Sequence, residues 1–241
     1  MDRNNILKFD DASAMGDYVI EQWNKIAKKA ISQRGKFVVA LSGGKTPVYL
    51  YQQLSLRVEL KLWQNTYIFF VDERFVPKDN PESNFAMVRD NLLSNVSASE
   101  KNIYPIPVDN ITLKQAADDY GRIIKEFFQL SQGEFPHFDL ILLGIGQDGH
   151  TGSLFPQALS LNDNSRLAVC VSGDNIKPKR ISISLGVINN SHHVMFVVSG
   201  SHKAKIVEAV LMGDDSLPAA RVTPKKGKLY FLLDKKAGLY V

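Results

Sequence analysis

The sequence has one cysteine, no long apolar run and no large excess of charge of either sign. The single cysteine, Cys170, excludes an internal disulfide framework and a thiolate zinc cluster, and it fits a reducing compartment. The longest apolar stretches, such as residues 67–71, are far too short to cross a bilayer. The first eleven residues lack the apolar segment of a signal peptide. We therefore expect a cytoplasmic protein with no membrane partner.

Apolar residues are abundant enough to build a core. Of 241 residues, 44% are hydrophobic and 22% charged, which fits one α/β domain over residues 1–241. The net charge is +4, and the Lys and Arg residues are mostly scattered. This charge pattern is weak support for nucleic-acid binding and is equally compatible with a small anionic ligand, and we expect the latter and no nucleic-acid partner. The oligomeric state is left open, with a monomer or a weak dimer as the alternatives. Cys170 lies in an apolar run, which favours a small buried side chain over a nucleophile.

Short runs rich in Val, Ile and Phe predict strands, and apolar residues three and four apart predict helices. The predicted strands are 36–42, 66–72, 138–144, 167–172, 180–185, 193–200 and 229–234, and the predicted helices are 11–33, 47–56, 82–93, 113–130 and 202–212. Alternating strands and helices predict a three-layer α/β fold with a mostly parallel sheet. The strand at 180–185 alternates apolar and polar residues, so we expect it at an edge or in an antiparallel pair.

Glycines and charged residues follow several predicted strands, at the edge where parallel sheets bind ligands. The first predicted strand is followed by Gly43, Gly44, Lys45, Thr46 and Pro47. Glycines allow close approach of the backbone to a ligand, Thr46 can cap the next helix and Pro47 suits its first turn. The free N–H groups of a helix start attract phosphate. The alternative is a simple tight turn with a good cap.

Basic residues stand at or beside three further strand ends. Asp72 and Arg74 directly follow the second predicted strand, and an arginine there can hold a phosphate through two parallel hydrogen bonds. An ion pair between Arg74 and a neighbouring acid is the alternative. Arg180 and Lys203 would be surface charges by default. Together with Arg74 and the glycine turn, they could instead surround one phosphate-bearing ligand.

The segment GIGQDGHTGSLFP, residues 144–156, contains G-x-G-x-x-G, the pattern of dinucleotide sites. In such sites a long helix follows the third glycine, whereas Pro156 here interrupts any helix. We interpret the loop as a platform that presents His150 as a general base, with Asp148 orienting its ring. The alternative is a structural histidine. The remaining histidines are interpreted as structural, and none has metal-ligand spacing: His137, His192, His193 and His202.

Seven segments, in order, resemble the 6-phosphogluconolactonase family. They are LSGGKTP (41–47), FFVDERFVP (69–77) with SN (83–84), GIGQDGHTGSLFP (144–156), KPKRISIS (177–184), FVVSGSHK (196–203), LPAARV (217–222) and LLDKKA (232–237). The resemblance implies a Rossmann-like α/β fold shared with glucosamine-6-phosphate deaminases. It also implies hydrolysis of a small phosphorylated sugar lactone, 6-phospho-D-glucono-1,5-lactone, without a cofactor or metal, in the oxidative pentose phosphate pathway.

The resemblance also implies roles for particular residues. His150 would activate water with the help of Asp148. Gly43 and Gly44 would offer backbone to the phosphate. The cations around the phosphate would be Arg74, Arg180 and Lys203. Lys45 stands where the family often has serine, a departure that bears on the phosphate contacts.

Two related functions are alternatives. The deaminases typically carry a glutamate in the histidine loop, where this chain has Phe155, and a tyrosine where it has Arg74. Both differences favour the lactonase. A non-catalytic sugar-phosphate sensor would usually carry a DNA-binding module ahead of this domain, but the residues before the first predicted strand form a single amphipathic helix pattern.

Overall fold

A parallel sheet forms the centre of the molecule. The computed structural model describes residues 5–44, 46–156, 158–163, 165–174 and 176–241. Within these residues the sheet has seven strands: β1 (Ile6–Phe9), β2 (Phe37–Leu41), β3 (Thr66–Phe70), β5 (Ile103–Tyr104), β6 (Leu140–Leu143), β9 (His193–Val198) and β10 (Lys228–Asp234). Their spatial order is β1-β10-β9-β6-β2-β3-β5, and every pair is parallel. The predicted Rossmann-like three-layer α/β fold is confirmed.

A small antiparallel sheet lies beside the main one. It consists of β4 (Asp72–Arg74), β8 (Ile176–Ile183) and β7 (Ala168–Gly173), in that order. The antiparallel pairing expected for residues 180–185 is confirmed, although the strand starts and ends earlier than predicted. Val71 joins the two sheets, since its N–H donates to Leu41 of β2 and its carbonyl accepts from Ile183 of β8.

Within the described residues the helices are α1 (Ala12–Arg34), α2 (Pro47–Arg57), α3 (Leu60–Trp63), α4 (Asn84–Asn91), α5 (Leu113–Phe128), α6 (Leu185–Asn189) and α7 (Ala204–Leu211). Four of these helices, α1, α4, α5 and α6, begin at a residue whose side chain caps them. Asp11 caps α1, which ends at Gly35 in the left-handed conformation. The predicted helix at 82–93 starts only at Asn84, because Ser83 is its N-cap. A short 3₁₀ turn over residues 201–203 precedes α7. No helix in the described part of the chain is long and apolar enough to span a membrane.

The parallel arrangement decides where a ligand can bind. The carboxyl ends of β2, β6 and β9 lie side by side, because these strands are neighbours in the sheet. The glycine turn after β2, the glycine-rich loop after β6 and the turn after β9 therefore meet at one edge. Apolar side chains fill the core beneath this edge, and the largest include Trp23, Trp63 and Phe69.

Candidate active site

A cavity of about 570 Å³ opens at this edge of the sheet, a size typical of small-molecule sites. Eight of the ten predicted site residues line it: Gly43, Gly44, Thr46, Arg74, Asp148, His150, Arg180 and Lys203. Lys45 lies outside the described residues. Asp72 is buried and lies behind the cavity wall. Segments far apart in the sequence thus converge on one concave surface.

His150 and Asp148 form a hydrogen-bonded pair on the cavity wall. His150 Nδ1 lies 2.5 Å from Asp148 Oδ1, and the histidine side chain is 30% exposed. Since the carboxylate accepts this hydrogen bond, the neutral form of the ring carries its proton on Nδ1 and keeps the lone pair on Nε2. Partial burial acts to raise the pKa of Asp148, but the charge and hydrogen bonds of His150 outweigh it and hold that pKa below its usual range. The pair has the geometry of a base with its orienting group.

The loop that carries this pair is a compact series of turns. Gly146 N–H donates to the His150 carbonyl at 2.8 Å, and Gly149 N–H, at φ +82°, donates back to the Gly146 carbonyl at 3.1 Å. Thr151 Oγ1 donates to the Gly144 carbonyl at 2.9 Å. No helix follows within residues 147–156, so the loop lacks the helix start that a dinucleotide pyrophosphate requires. The loop therefore has the structure of a platform, as predicted.

Gly146 is a position in this loop where a side chain would collide with the His150–Asp148 pair itself. A Cβ there would lie 2.1 Å from His150 Nδ1 and 2.7 Å from Asp148 Oδ1. We predict that Gly146→Ala separates the pair and lowers kcat for the reaction proposed below by about 10²-fold, within the range that general-base catalysis contributes. The matched control is Gly144→Ala, because a Cβ at Gly144 meets nothing within 4 Å. NMR of the His150 ring in each free variant would show whether the Nδ1 hydrogen bond is lost only in Gly146→Ala.

Two arginines face each other across the small sheet. Arg74 of β4 and Arg180 of β8 are directly opposite in the antiparallel register. Within the described residues, the buried Nε atoms of both have no hydrogen-bond partner, although Arg74 Nη1 donates to the Glu82 carbonyl at 2.6 Å. Burial, together with the charge of Arg74, lowers the pKa of Arg180, and the carboxylates of Asp72, Glu82 and Glu73 act against that shift. Like charges in opposite positions destabilise a strand pair, so this arrangement favours a bound anion.

Lys203 adds a third cation to the same wall. Partial burial lowers the pKa of Lys203, and the Asp148 carboxylate opposes that shift. Phe155 lies beside both His150 and Arg180. Its ring centroid is 4.4 Å from the centroid of the His150 ring and 5.7 Å from Arg180 Cζ. The phenyl ring thus contacts both His150 and Arg180 on the cavity wall.

The cavity is also lined by residues that sequence reasoning did not select, among them His202 and Asn84. His202 was interpreted as structural, and its place on the cavity wall was not anticipated. Asn84 is also on the wall, and its buried Oδ1 has no partner in the described part of the chain. A Cβ on Gly43 would lie 1.7 Å from Asn84 Oδ1, so Gly43 is needed for the packing of Asn84 as well as for access to a ligand. Only the pairing of Ser83 and Asn84 in the family motif pointed to this residue.

Two buried acids, Glu73 and Asp72, hold residues of the cavity wall in place through hydrogen bonds. Glu73 accepts hydrogen bonds from Arg74 N, Ser83 Oγ, Asn84 N and Phe85 N at 2.7–3.0 Å. Burial raises the pKa of Glu73, against these hydrogen bonds. Asp72 accepts from Ser153 Oγ at 2.5 Å, and its carbonyl accepts from Asn84 Nδ2 at 2.8 Å. Both acids therefore position residues of the wall and do not line the cavity themselves.

The structure also bears on the predicted roles of Thr46, Pro47 and Cys170. Thr46 makes no capping hydrogen bond through its side chain, because its backbone is already helical, whereas Pro47 does occupy the first turn. Cys170 is half-buried and its thiol lies 3.4 Å from the Leu113 carbonyl, as expected of a structural residue. Among the described residues, no three His, Cys, Asp or Glu side chains lie close enough together to hold a metal ion.

Comparison with known proteins agrees with this architecture. The model of the family "Glucosamine-6-phosphate isomerases/6-phosphogluconolactonase" matches residues 10–231. A 6-phosphogluconolactonase from Synechocystis is 40% identical over 212 residues, covering 87% of each chain. The crystal structure of a 6-phosphogluconolactonase from Thermotoga maritima matches with a TM-score of 0.81 at 28% identity, over 95% of this chain and 98% of that one.

A more distant structure shares the fold alone. It is a monomeric glucosamine-6-phosphate deaminase that is 20% identical, with a TM-score of 0.80 over 98% of this chain and 100% of that one. The match over residues 10–231 covers most of the sequence and includes every described residue of the cavity. The chain therefore belongs to the glucosamine-6-phosphate isomerase/6-phosphogluconolactonase family.

Proposed function

We propose that this protein hydrolyses 6-phospho-D-glucono-1,5-lactone to 6-phosphogluconate, with His150 as the general base. The observation that carries the proposal is that the His150–Asp148 pair lines one cavity with Arg74 and Arg180, whose buried Nε atoms have no hydrogen-bond partner within the described residues. A base and a phosphate site on the same wall suit a substrate with an ester carbonyl at one end and a phosphate at the other.

The first step is binding of the phosphate. Arg74, Arg180 and Lys203 surround the phosphate, whose oxygens accept charge-assisted hydrogen bonds from the guanidinium and ammonium groups. The Nε atoms of the two arginines have no partner within the described residues of the free protein. The N–H groups of the glycine turn at Gly43 and Gly44 add neutral donors. This anchoring places the lactone carbonyl near His150 and converts an encounter with water into a reaction within one complex.

The second step is attack of water. His150 Nε2 accepts a proton from water as the water oxygen bonds to C1 of the lactone. Asp148 holds the ring through Nδ1 and stabilises the imidazolium that forms. The tetrahedral intermediate collapses with cleavage of the bond between C1 and the ring oxygen, and the imidazolium returns its proton to that oxygen. No covalent intermediate is needed, because the ester is already electrophilic.

The deaminase alternative requires a different group beside the histidine. The position of the deaminase glutamate holds Phe155, whose ring packs against His150 at 4.4 Å and cannot supply a charge. We therefore propose the lactonase reaction, as part of the oxidative pentose phosphate pathway and in the cytoplasm, where the single cysteine remains reduced.

The test is a direct comparison of substrates. The purified protein should accelerate hydrolysis of the phosphorylated lactone well above its spontaneous rate at neutral pH, followed by acid release in a pH-stat. It should release no ammonia from glucosamine 6-phosphate. Ammonia release at a comparable rate would replace the proposal with the deaminase reaction, and absence of both activities would favour the sensor.

A further inference from the structure

A second cavity lies at the opposite edge of the sheet. It has a volume of about 370 Å³, within the range of small-molecule sites. Its walls come from the second half of α1, the residue before β6 and the amino ends of β9 and β10. Strand β9 has six residues, so this cavity is roughly 20 Å from the active site along the strand direction. The reaction proposed above makes no use of it.

The lining of this second cavity is strongly cationic. Its charged or titratable side chains are Lys25, Lys29, Arg34, Asp139, His192, His193, Lys226 and Lys228, together with the phenol of Tyr230. Asp139 is the one carboxylate among them, and it is already used, because it pairs with Arg34 and accepts from the Val38 N–H at 2.9 Å. The four lysines form no ion pair within the described residues.

Interactions between charges within the protein do not explain why several lysines line this cavity. Lys25 and Lys29 are four residues apart on one helix, a spacing at which like charges destabilise. A cation near the end of α1 offsets the helix dipole, which accounts for Arg34 in the last turn. It does not account for Lys226 and Lys228, which come from another part of the chain. These four exposed lysines bring positive charge from two separate parts of the chain to one concave surface, and a bound anion would supply the missing counter-charge.

Hydrogen bonds and an ion pair hold Asp139, Arg34 and His193 in place on the wall of this cavity. Asp139 is 4% exposed and fixes Arg34 through its side chain. His193 Nδ1 donates to the Asp139 carbonyl at 2.9 Å, which fixes the ring on the cavity wall. Burial lowers the pKa of His193, and the charges of Lys228 and Lys29 act in the same direction against the pull of Asp139. The side chains thus surround one defined volume instead of spreading over a flat surface.

We propose that this second cavity binds a small metabolite bearing two or more phosphate groups. Four unpaired lysines call for several negative charges in a small volume, more than one monophosphate carries. The cavity is concave and open to solvent on one side, with the four lysines exposed at its rim. A small anion fits such a concave site better than a nucleic acid, which would follow an extended cationic surface.

The experiment must separate this site from the phosphate site of the active-site cavity. Isothermal titration with inorganic pyrophosphate at low salt is carried out on Arg74→Ala/Lys203→Ala, in which the first site is weakened. We expect this variant to bind about one pyrophosphate, with an affinity that falls as salt rises. Adding Lys29→Gln and Lys228→Gln should raise Kd about tenfold or more, because two charge-assisted contacts are lost. The matched control adds Lys235→Gln and Lys236→Gln, two exposed lysines elsewhere, and should leave Kd unchanged.

Either of two results would overturn the proposal. One is the absence of pyrophosphate binding to Arg74→Ala/Lys203→Ala up to millimolar concentration. The other is an equal loss of affinity in the Lys235/Lys236 control, which would indicate general attraction to a basic protein. A hexose bisphosphate and a nucleoside triphosphate are then titrated in the same way, and the tighter ligand identifies the source of the phosphates. Lys29→Gln/Lys228→Gln in the otherwise wild-type chain should retain full lactone hydrolysis, so this test does not depend on the proposed reaction.

Discussion

Replacing His150 with alanine will lower kcat for lactone hydrolysis by about 10²- to 10⁴-fold, the contribution of a positioned general base. KM should change little, because the phosphate is held by other side chains. The fold should be retained, since the His150 side chain is 30% exposed and its loop is held by backbone hydrogen bonds between Gly146, Gly149 and His150. Rates would be measured in a pH-stat with the spontaneous hydrolysis subtracted.

Asp148→Asn serves as the graded comparison for this prediction. The amide can still contact the ring but cannot stabilise an imidazolium, so kcat should fall by less than in His150→Ala. The double variant should be no slower than His150→Ala alone, because Asp148 acts through the ring. Wild-type kcat in His150→Ala, with circular dichroism unchanged, would remove His150 from the mechanism.

The contact between the proposed base and its orienting residue was easier to predict from the sequence than the surroundings of that pair. His150 and Asp148 are two residues apart on one loop, so the contact between them is local, and a glycine-rich segment after a buried strand was enough to suggest it. Arg74 and Arg180 were each recognised as strand-end cations. Their direct opposition across β4 and β8 depends on a second sheet, whose separation from the main sheet no local pattern reveals.

The errors share one physical cause, namely that burial and pairing depend on distant parts of the chain. Residues 167–172 have the composition of a buried strand but form β7 of the small sheet. β1 and β5 were not predicted, because they have only four and two residues and sheet pairing, not propensity, stabilises such short strands. His202 looked structural because a histidine two residues past a strand has no distinguishing local pattern, although the fold turns it toward the cavity wall.

The two arginines lead to the second large prediction. Arg180→Met should raise KM for the phosphorylated lactone by about 10- to 150-fold, the loss of a charged hydrogen bond of about 1.5–3 kcal/mol. Methionine keeps an apolar stem against Phe155, so the packing beside His150 is retained. kcat should change little, since the phosphate contact is made equally in the ground state and the transition state. Glucono-1,5-lactone, which lacks the phosphate, should react equally well with both proteins.

The same substitution should stabilise the free protein. Removing one of two opposed like charges relieves about 0.5 kcal/mol on the strand pair, which corresponds to about 1–2 °C in Tm for a chain of this size. Inorganic phosphate should raise the Tm of the wild type more than that of Arg180→Met, because the bound phosphate accepts hydrogen bonds from both arginines only in the wild type.

A matched arginine separates this effect from a general loss of charge. Arg166 is 46% exposed and pairs with Asp118 and Asp163, so Arg166→Met should lower Tm slightly and leave KM unchanged. A rise in KM together with a rise in Tm would be specific to Arg180, since a residue kept for folding would shift stability the other way. If Arg180→Met instead lowers Tm and leaves KM unchanged, the opposed arginines stabilise the small sheet and the phosphate binds elsewhere in the cavity.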